Sequence, residues 1–523
     1  MSKTVNCMNL KLVLFTVFLV VIFSSLSISQ NIHTVEGRRV EIVNAGSLKS
    51  ANHIADGAKR LIDNVQFKQD NILMFCDSAY FYKNNSLDAF GHIHIQQDDS
   101  LHMYGDFLKY DGNTKKAILT KNVIVDKGDM HLTTDILNYD VSKSIGYYTT
   151  PGRIVNKDNI LTSDQGYYFS KINDFHFKNY VVLTNPQFVI NCDTMKYNTD
   201  SKITRFFGPT TIKSKNNLIY CEDGYYDTFK DQSRFSKNSY IISGEQKMIG
   251  DSLYYDRKKG IGRAIKNVQI VDTVQNITIT GMKAIHYELT ATSIITENAL
   301  LTQIYDKDTL YLHADTLKSI SEKKDTTVSK TTDTTTKEQK LFAYHKVKFF
   351  KSDLQGKCDS LFYTSSDSTM KMFRNPTIWS DVNQLTADSI TIFIGNKSIK
   401  SIELRVNAFI VSQEDSSMYN QIRGKYMKGF FNDNKLSRIH VRGNGQTIYY
   451  VEEKNEVKAV NRTDCTDLNI YLKENEMDKI TFITKPESTL FPIEQVVLKE
   501  FKLKDFSWRE KNRPKDAKDI FNW

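Results

Sequence analysis

The sequence predicts an all-β protein, an elongated antiparallel repeat assembled from units of about 29 residues that each hold two strands. Three observations lead there. Acidic residues recur at a fixed step, with Asp77, Asp106, Asp135, Asp164, Asp193, Glu222 and Asp251 each 29 residues apart. An aromatic follows each of them by four positions: Phe81, Tyr110, Tyr139, Tyr168, Tyr197, Tyr226 and Tyr255. Proline (7 of 523) and glycine (23 of 523) are scarce while tyrosine (27) and phenylalanine (30) are plentiful, which favours long hydrogen-bonded ladders over loops. A period of about 20 to 50 residues marks a repeat architecture, in which no unit buries its apolar face alone.

In chain order, residues 1–29 are expected to be a signal peptide. Lys3 and Lys11 accompany the apolar run from Leu12 to Phe23, and Ser27 and Ser29 supply small residues before Gln30. The run is too short for a span needing about 20 residues, although retention as an uncleaved anchor stays open. Residues 30–320 are expected to form β repeats and 321–340, rich in Lys, Asp and Thr, a flexible insertion. Repeats resume over 341–492, where Asp359 and Asp388 restore the step of 29. Residues 493–523 form a separate segment, aromatic and basic, expected to cap the last strand or to dock elsewhere.

Within each unit the residue before the acid is small: Cys76, Gly105, Thr134, Ser163, Cys192, Cys221, Gly250, Gly281, Ala314, Cys358 and Ala387. Two positions earlier stand Met74, Met103, Leu132, Leu161, Ile190, Ile219, Met248, Ile279 and Leu312. Residues i and i−2 of a strand share a face, so an apolar column runs beside a small one. The small column predicts a bend or a close backbone approach. The acid and the aromatic are expected on the opposite face by the same alternation. The second strand of each unit carries a recurrent asparagine, at Asn64, Asn122, Asn238, Asn267, Asn298 and Asn375.

Chemistry is harder to find. The acids are too evenly spread to form a local catalytic pair, and the Gly-rich nonapeptides of a Ca²⁺ β-roll are missing, so the acid column is read as structural. Four cysteines sit in the small column as small buried residues, and Cys192 with Cys221 is the one pair worth testing for a bridge. His92, His94 and His102 lie close in sequence but lack the framework of a metal centre and are read as surface residues. No catalytic residue, metal ligand or cofactor is assigned, and the chain is not expected to be an enzyme. A net charge of +9 suits anionic partners without identifying one; nucleic acid is not expected for an exported chain. The apolar column either closes as a dry core or lines an open trough.

The units Gly105–Asp111 and Gly250–Asp256, written Gly-Asp-x-Leu-x-Tyr-Asp, the first followed by Ala117-x-x-x-x-Asn122-Val123, resemble the OstA-like, LptA-type β-jellyroll family. The resemblance spans roughly Val40 to Pro492. It implies a periplasmic component of lipopolysaccharide transport, an open-ended jellyroll that carries lipid A acyl chains along its interior. The nine Met, Leu and Ile residues of the apolar column are then the groove lining. Implied partners are lipopolysaccharide, the inner- and outer-membrane lipopolysaccharide transport proteins and further copies stacked head to tail. The competing readings are a structural or adhesive β-solenoid and, behind it, a parallel β-helix acting on polysaccharide.

Overall fold

In a computed structural model, the described residues are 40–523 apart from 51–56, 324–336 and the turn residues 70, 98, 100, 216, 244–245, 306–307, 396–397, 416, 433–434, 454–455, 474–475 and 499–500. The signal segment and the centre of the insertion therefore lie outside the described residues. Among the rest the chain forms 34 strands and only three-residue 3₁₀ turns. Every described pairing is antiparallel, as in Ile72–Phe81 against Leu87–Gln97 and Leu101–Asp111 against Lys116–Lys127. This excludes a parallel β-helix. The two flanks of the insertion are ordered as strand: Ser321 to Lys323 pair with Gln339 to Lys337, extending the hairpin into what the sequence suggested was loop.

The chain divides into two units, 1–244 with 251–259, and 245–250 with 260–523. In both, strands that carry the acid alternate with strands that carry a bulge, at which asparagine is the commonest residue. The bend falls on the asparagine strands. Ile62 pairs with Ser78 and Val65 with Cys76, so Asp63 and Asn64 together oppose Asp77 alone. The same bulge recurs at Lys121–Asn122, Lys237–Asn238, Lys266–Asn267 and Glu297–Asn298, with both residues at positive φ. Asparagine tolerates that left-handed region better than most residues, which explains its column. The extra residue re-aims the strand.

At the bend the alternation of the acid strand also slips. In Phe188–Asn198 the inward residues are Phe188, Ile190 and Cys192, then Met195 and Tyr197, with Asp193 and Thr194 both outward. The aromatic column therefore faces the interior, contrary to the strict period-two expectation. Tyr168 and Tyr197 are buried in the same cluster as Leu161 and Ile190. The small column has a steric cause: a Cβ at Gly105 would lie 2.7 Å from Leu119 Cδ1, and one at Gly281 2.5 Å from Ile295 Cγ2.

Candidate functional site

The apolar column becomes one continuous row when the strands pair. In the first unit Met74 stands opposite Ile95, Ile95 opposite Met103, and Met103 opposite Val125. The row continues through Leu132, Ile154, Leu161 and Leu183. It runs on through Ile190, Ile212, Ile219 and Ile241. The second unit builds its own row from Ile270, Ile279, Leu301 and Leu312 to Phe349. Alternate members of both rows, Met74 to Ile219 and then Ile279 and Leu312, belong to the column read from the sequence. The intervening half escaped it, although Val125, Ile241 and Ile270 each follow a recurrent asparagine by three positions.

Met74, Leu132, Leu161, Ile190 and Leu312 are buried, whereas Met103, Ile219, Met248 and Ile279 are half-buried. Met103 packs against both apolar clusters of the first unit and so joins them. Opposite the row stands an aromatic wall. Phe175, Phe177, Tyr197 and Phe206, with Met195, face Ile154, Leu161, Leu183 and Ile190 across a cavity of about 40 Å³. Asn156 and Asn159, paired across the turn between the strands Gly152–Asn156 and Asn159–Ser163, and Thr204 complete its lining. That volume holds on the order of three water molecules, so this part of the interior is packed rather than an open trough. Burial pushes the Tyr197 phenol up to about 12 and, with Asp200 and Tyr139 nearby, Tyr168 likewise; both stay neutral in an apolar wall.

Toward the end of the first unit the filling thins. Inward positions there are taken by Thr204, Thr210, Ser233 and Ser239, while Ile212 and Ile219 are left half-buried.

The acid column serves the bulges from outside. Asn122 Nδ2 donates to Asp106 Oδ2 at 2.7 Å, Asn238 to Glu222 Oε1 at 2.8 Å and Asn407 to Asp388 Oδ1 at 3.1 Å. His92 takes the asparagine's place against Asp77, 2.8 Å away, which raises its pKa. His94 Nε2 and His102 Nδ1 approach to 3.1 Å on the outer face, beside Tyr104. Among the described residues no three His, Cys, Asp or Glu side chains converge as a metal site. Cys192 and Cys221 remain free thiols, because Thr210 pairs with both and places a strand between them. Two strand spacings are about 9.6 Å, beyond the reach of a disulfide.

Residues 37–193 match the family described as OstA-like protein, and residues 278–398 match the one described as LptA/(LptD N-terminal domain) LPS transport protein. This chain belongs to the OstA/LptA-like family. Among solved structures it is similar to LptH, the LptA-homologous periplasmic component of the lipopolysaccharide transport device of Pseudomonas aeruginosa. That alignment has 15% identity and a TM-score of 0.18, covering 19% of this chain and 75% of the other. No curated protein matches the sequence. The first family match contains the row from Met74 to Ile190; the second contains Ile279 and Leu312 of this OstA/LptA-like chain.

Proposed function

We propose that this OstA/LptA-like chain serves lipopolysaccharide transport, holding the acyl chains of lipid A between the aliphatic row and the aromatic wall. The observation that carries the reading is the unbroken row from Met74 to Ile241, one aliphatic or methionine side chain from every strand but Ile145–Tyr148 and Gln165–Phe169, with the cavity beside Leu161 and Ile190. Apolar contact along a row has no preferred stopping point, which suits a chain passed along rather than held at one place. Methionine at 74 and 103 adds adaptable contact. Lipid enters when row and wall part, since the cavity alone is far smaller than an acyl chain. On this reading the role is carriage without catalysis, the setting is the periplasm, and the partners are the transport proteins of the two membranes and head-to-tail copies of the chain. The groove residues are the nine of the sequence-derived column together with the intervening Ile95, Val125, Ile154 and Leu183.

Photoactivatable residues test this. Placed at Met103 and Ile190 they should trap lipopolysaccharide, and at the exposed Asn191 they should not. Equal trapping at Asn191, or none inside, removes the proposal. The packed cavity supports a second reading, a closed structural repeat, and that reading predicts no interior adduct at all.

A further inference from the structure

The outer face of the second unit carries a row of a different kind. Gln355 pairs with Trp379, Trp379 with Gln384, Gln384 with Val411, Val411 with Gln421, and Gln421 with Ile448. Amide and apolar side chains thus alternate strand by strand. Residues 501–523, beyond the strand Glu487–Pro492, run across this face. Gln421 Nε2 donates to the Phe501 carbonyl at 3.2 Å, and its Oε1 accepts from the Leu503 N–H at 2.8 Å. Gln384 repeats the arrangement, donating to the Ser507 carbonyl at 2.7 Å and accepting from the Arg509 N–H at 2.6 Å. Gln355 accepts from Arg513 Nε at 2.8 Å.

Each clamp grips the carbonyl of one residue and the N–H two positions later, the atoms a neighbouring strand would use. Gln384 and Gln421 are only 1% exposed, while the buried Gln355 takes the Arg513 side chain and gives its own amide to the Lys351 and Ser352 carbonyls. A buried amide with nothing to bond is costly, so Gln384 and Gln421 call for a peptide main chain beside them. Between the clamps Leu503, Phe506 and Trp508 pack on Phe409, Ile448 and Tyr450. Further along, the Phe521 ring lies 4.5 Å from that of His313 and the Lys357 ammonium 4.0 Å from the Trp523 ring.

We propose that this row is a peptide-docking groove, filled in cis by residues 501–523 and able to take the same segment from a second copy. Recognition divides in two: glutamines read extended main chain, and the apolar rungs between them read Leu503, Phe506 and Trp508. The segment forms no strand in the described residues, so it can leave without unzipping a ladder. Each copy carries both groove and segment, the condition for exchange.

The test introduces a protease site after Val497, which is 60% exposed, into the full chain and cuts it after folding. Labelled synthetic peptide 498–523 should then replace the cut segment saturably. Peptide N-methylated at Leu503 or at Arg509 lacks the N–H that a glutamine accepts and should bind about tenfold more weakly. Phe506→Ala or Trp508→Ala in the peptide should weaken it as well, and all these variants leave the folded protein untouched. Uncut chains bearing two different tags should co-purify after mixing. A cut segment that never exchanges, or a scrambled peptide that binds equally, overturns the groove. Exchange of peptide without co-purification overturns the second copy as its partner.

Discussion

Replacing Ile190 by alanine probes the interior most directly. Ile190 is 2% exposed, stands between Leu183 and Ile212 in the row, and borders the cavity of about 40 Å³. Removing three buried carbons forfeits about 2.4 kcal/mol at roughly 0.8 kcal/mol each. The new void joins one already present instead of collapsing, which adds about 1–2 kcal/mol at roughly 24 cal/mol per Å³. The expected destabilisation is about 3.5–4.5 kcal/mol. Urea unfolding followed by far-UV circular dichroism measures it. Trp379, Trp508 and Trp523 all lie in the second unit, so tryptophan fluorescence supplies an internal reference. Repeat arrays unfold in parts, hence the dichroism transition should move while the fluorescence transition stays. A loss below about 1 kcal/mol would mean that Ile190 is not gripped by a packed interior, and the slot would have to be wet and wide instead.

Three further outcomes follow from the same packing. Asn122→Val puts a β-branched residue at φ 51 and removes the bond to Asp106. It should cost about 2–3 kcal/mol in thermal unfolding, against about 1 for Asn122→Gly, which keeps the backbone and loses only the bond. Gly105→Leu forces its side chain into Leu119 and should cost about 1–3 kcal/mol by the same measurement. Burial pushes the thiols of Cys76, Cys192, Cys221 and Cys358 up to about 12. An aromatic disulfide reagent at pH 8 should therefore label none of these four before denaturant is added. The raised folded pKa also gives these thiols a stabilising contribution that is whole below about pH 8.5, the ordinary thiol value. It is lost as pH climbs toward 12, so an alkaline melt should show stability falling across that window.

Much of the fold was legible because the period is long and the columns are narrow. The acid, the small residue and the Met/Leu/Ile column each repeat at 29 residues, and the structure pairs them as antiparallel rungs. The aromatic column was misplaced by the period-two rule, which assumes an unbroken strand. Tyr197 turns inward because Asp193 and Thr194 both face out, and only the pairing register shows that slip. The intervening half of that row was legible only in part: Val125 and Ile241 follow a recurrent asparagine by three positions, whereas Ile95, Ile154, Leu183 and Ile212 have His92, Pro151, Tyr180 and Pro209 there and so share no marker. That the tail caps the last strand or docks elsewhere was as far as the sequence reached; where residues 501–523 fold back could not be read. Its anchors, Gln421 and Gln384, lie 80 and 125 residues from their partners Phe501 and Arg509, and nothing local in either stretch specifies the other.

One consequence concerns how such a chain changes length. Inside a strand, losing or gaining a single residue would invert every side chain beyond it up to the next bulge. Whole pairs of strands, by contrast, can be excised or duplicated with all columns still aligned, each step adding about 9.6 Å of ladder. Hairpin tips are the other safe place, as the prolonged arms around residues 324–336 show. Growth in this architecture is therefore quantised, and a lineage could lengthen or shorten it in increments without ever disturbing the lining.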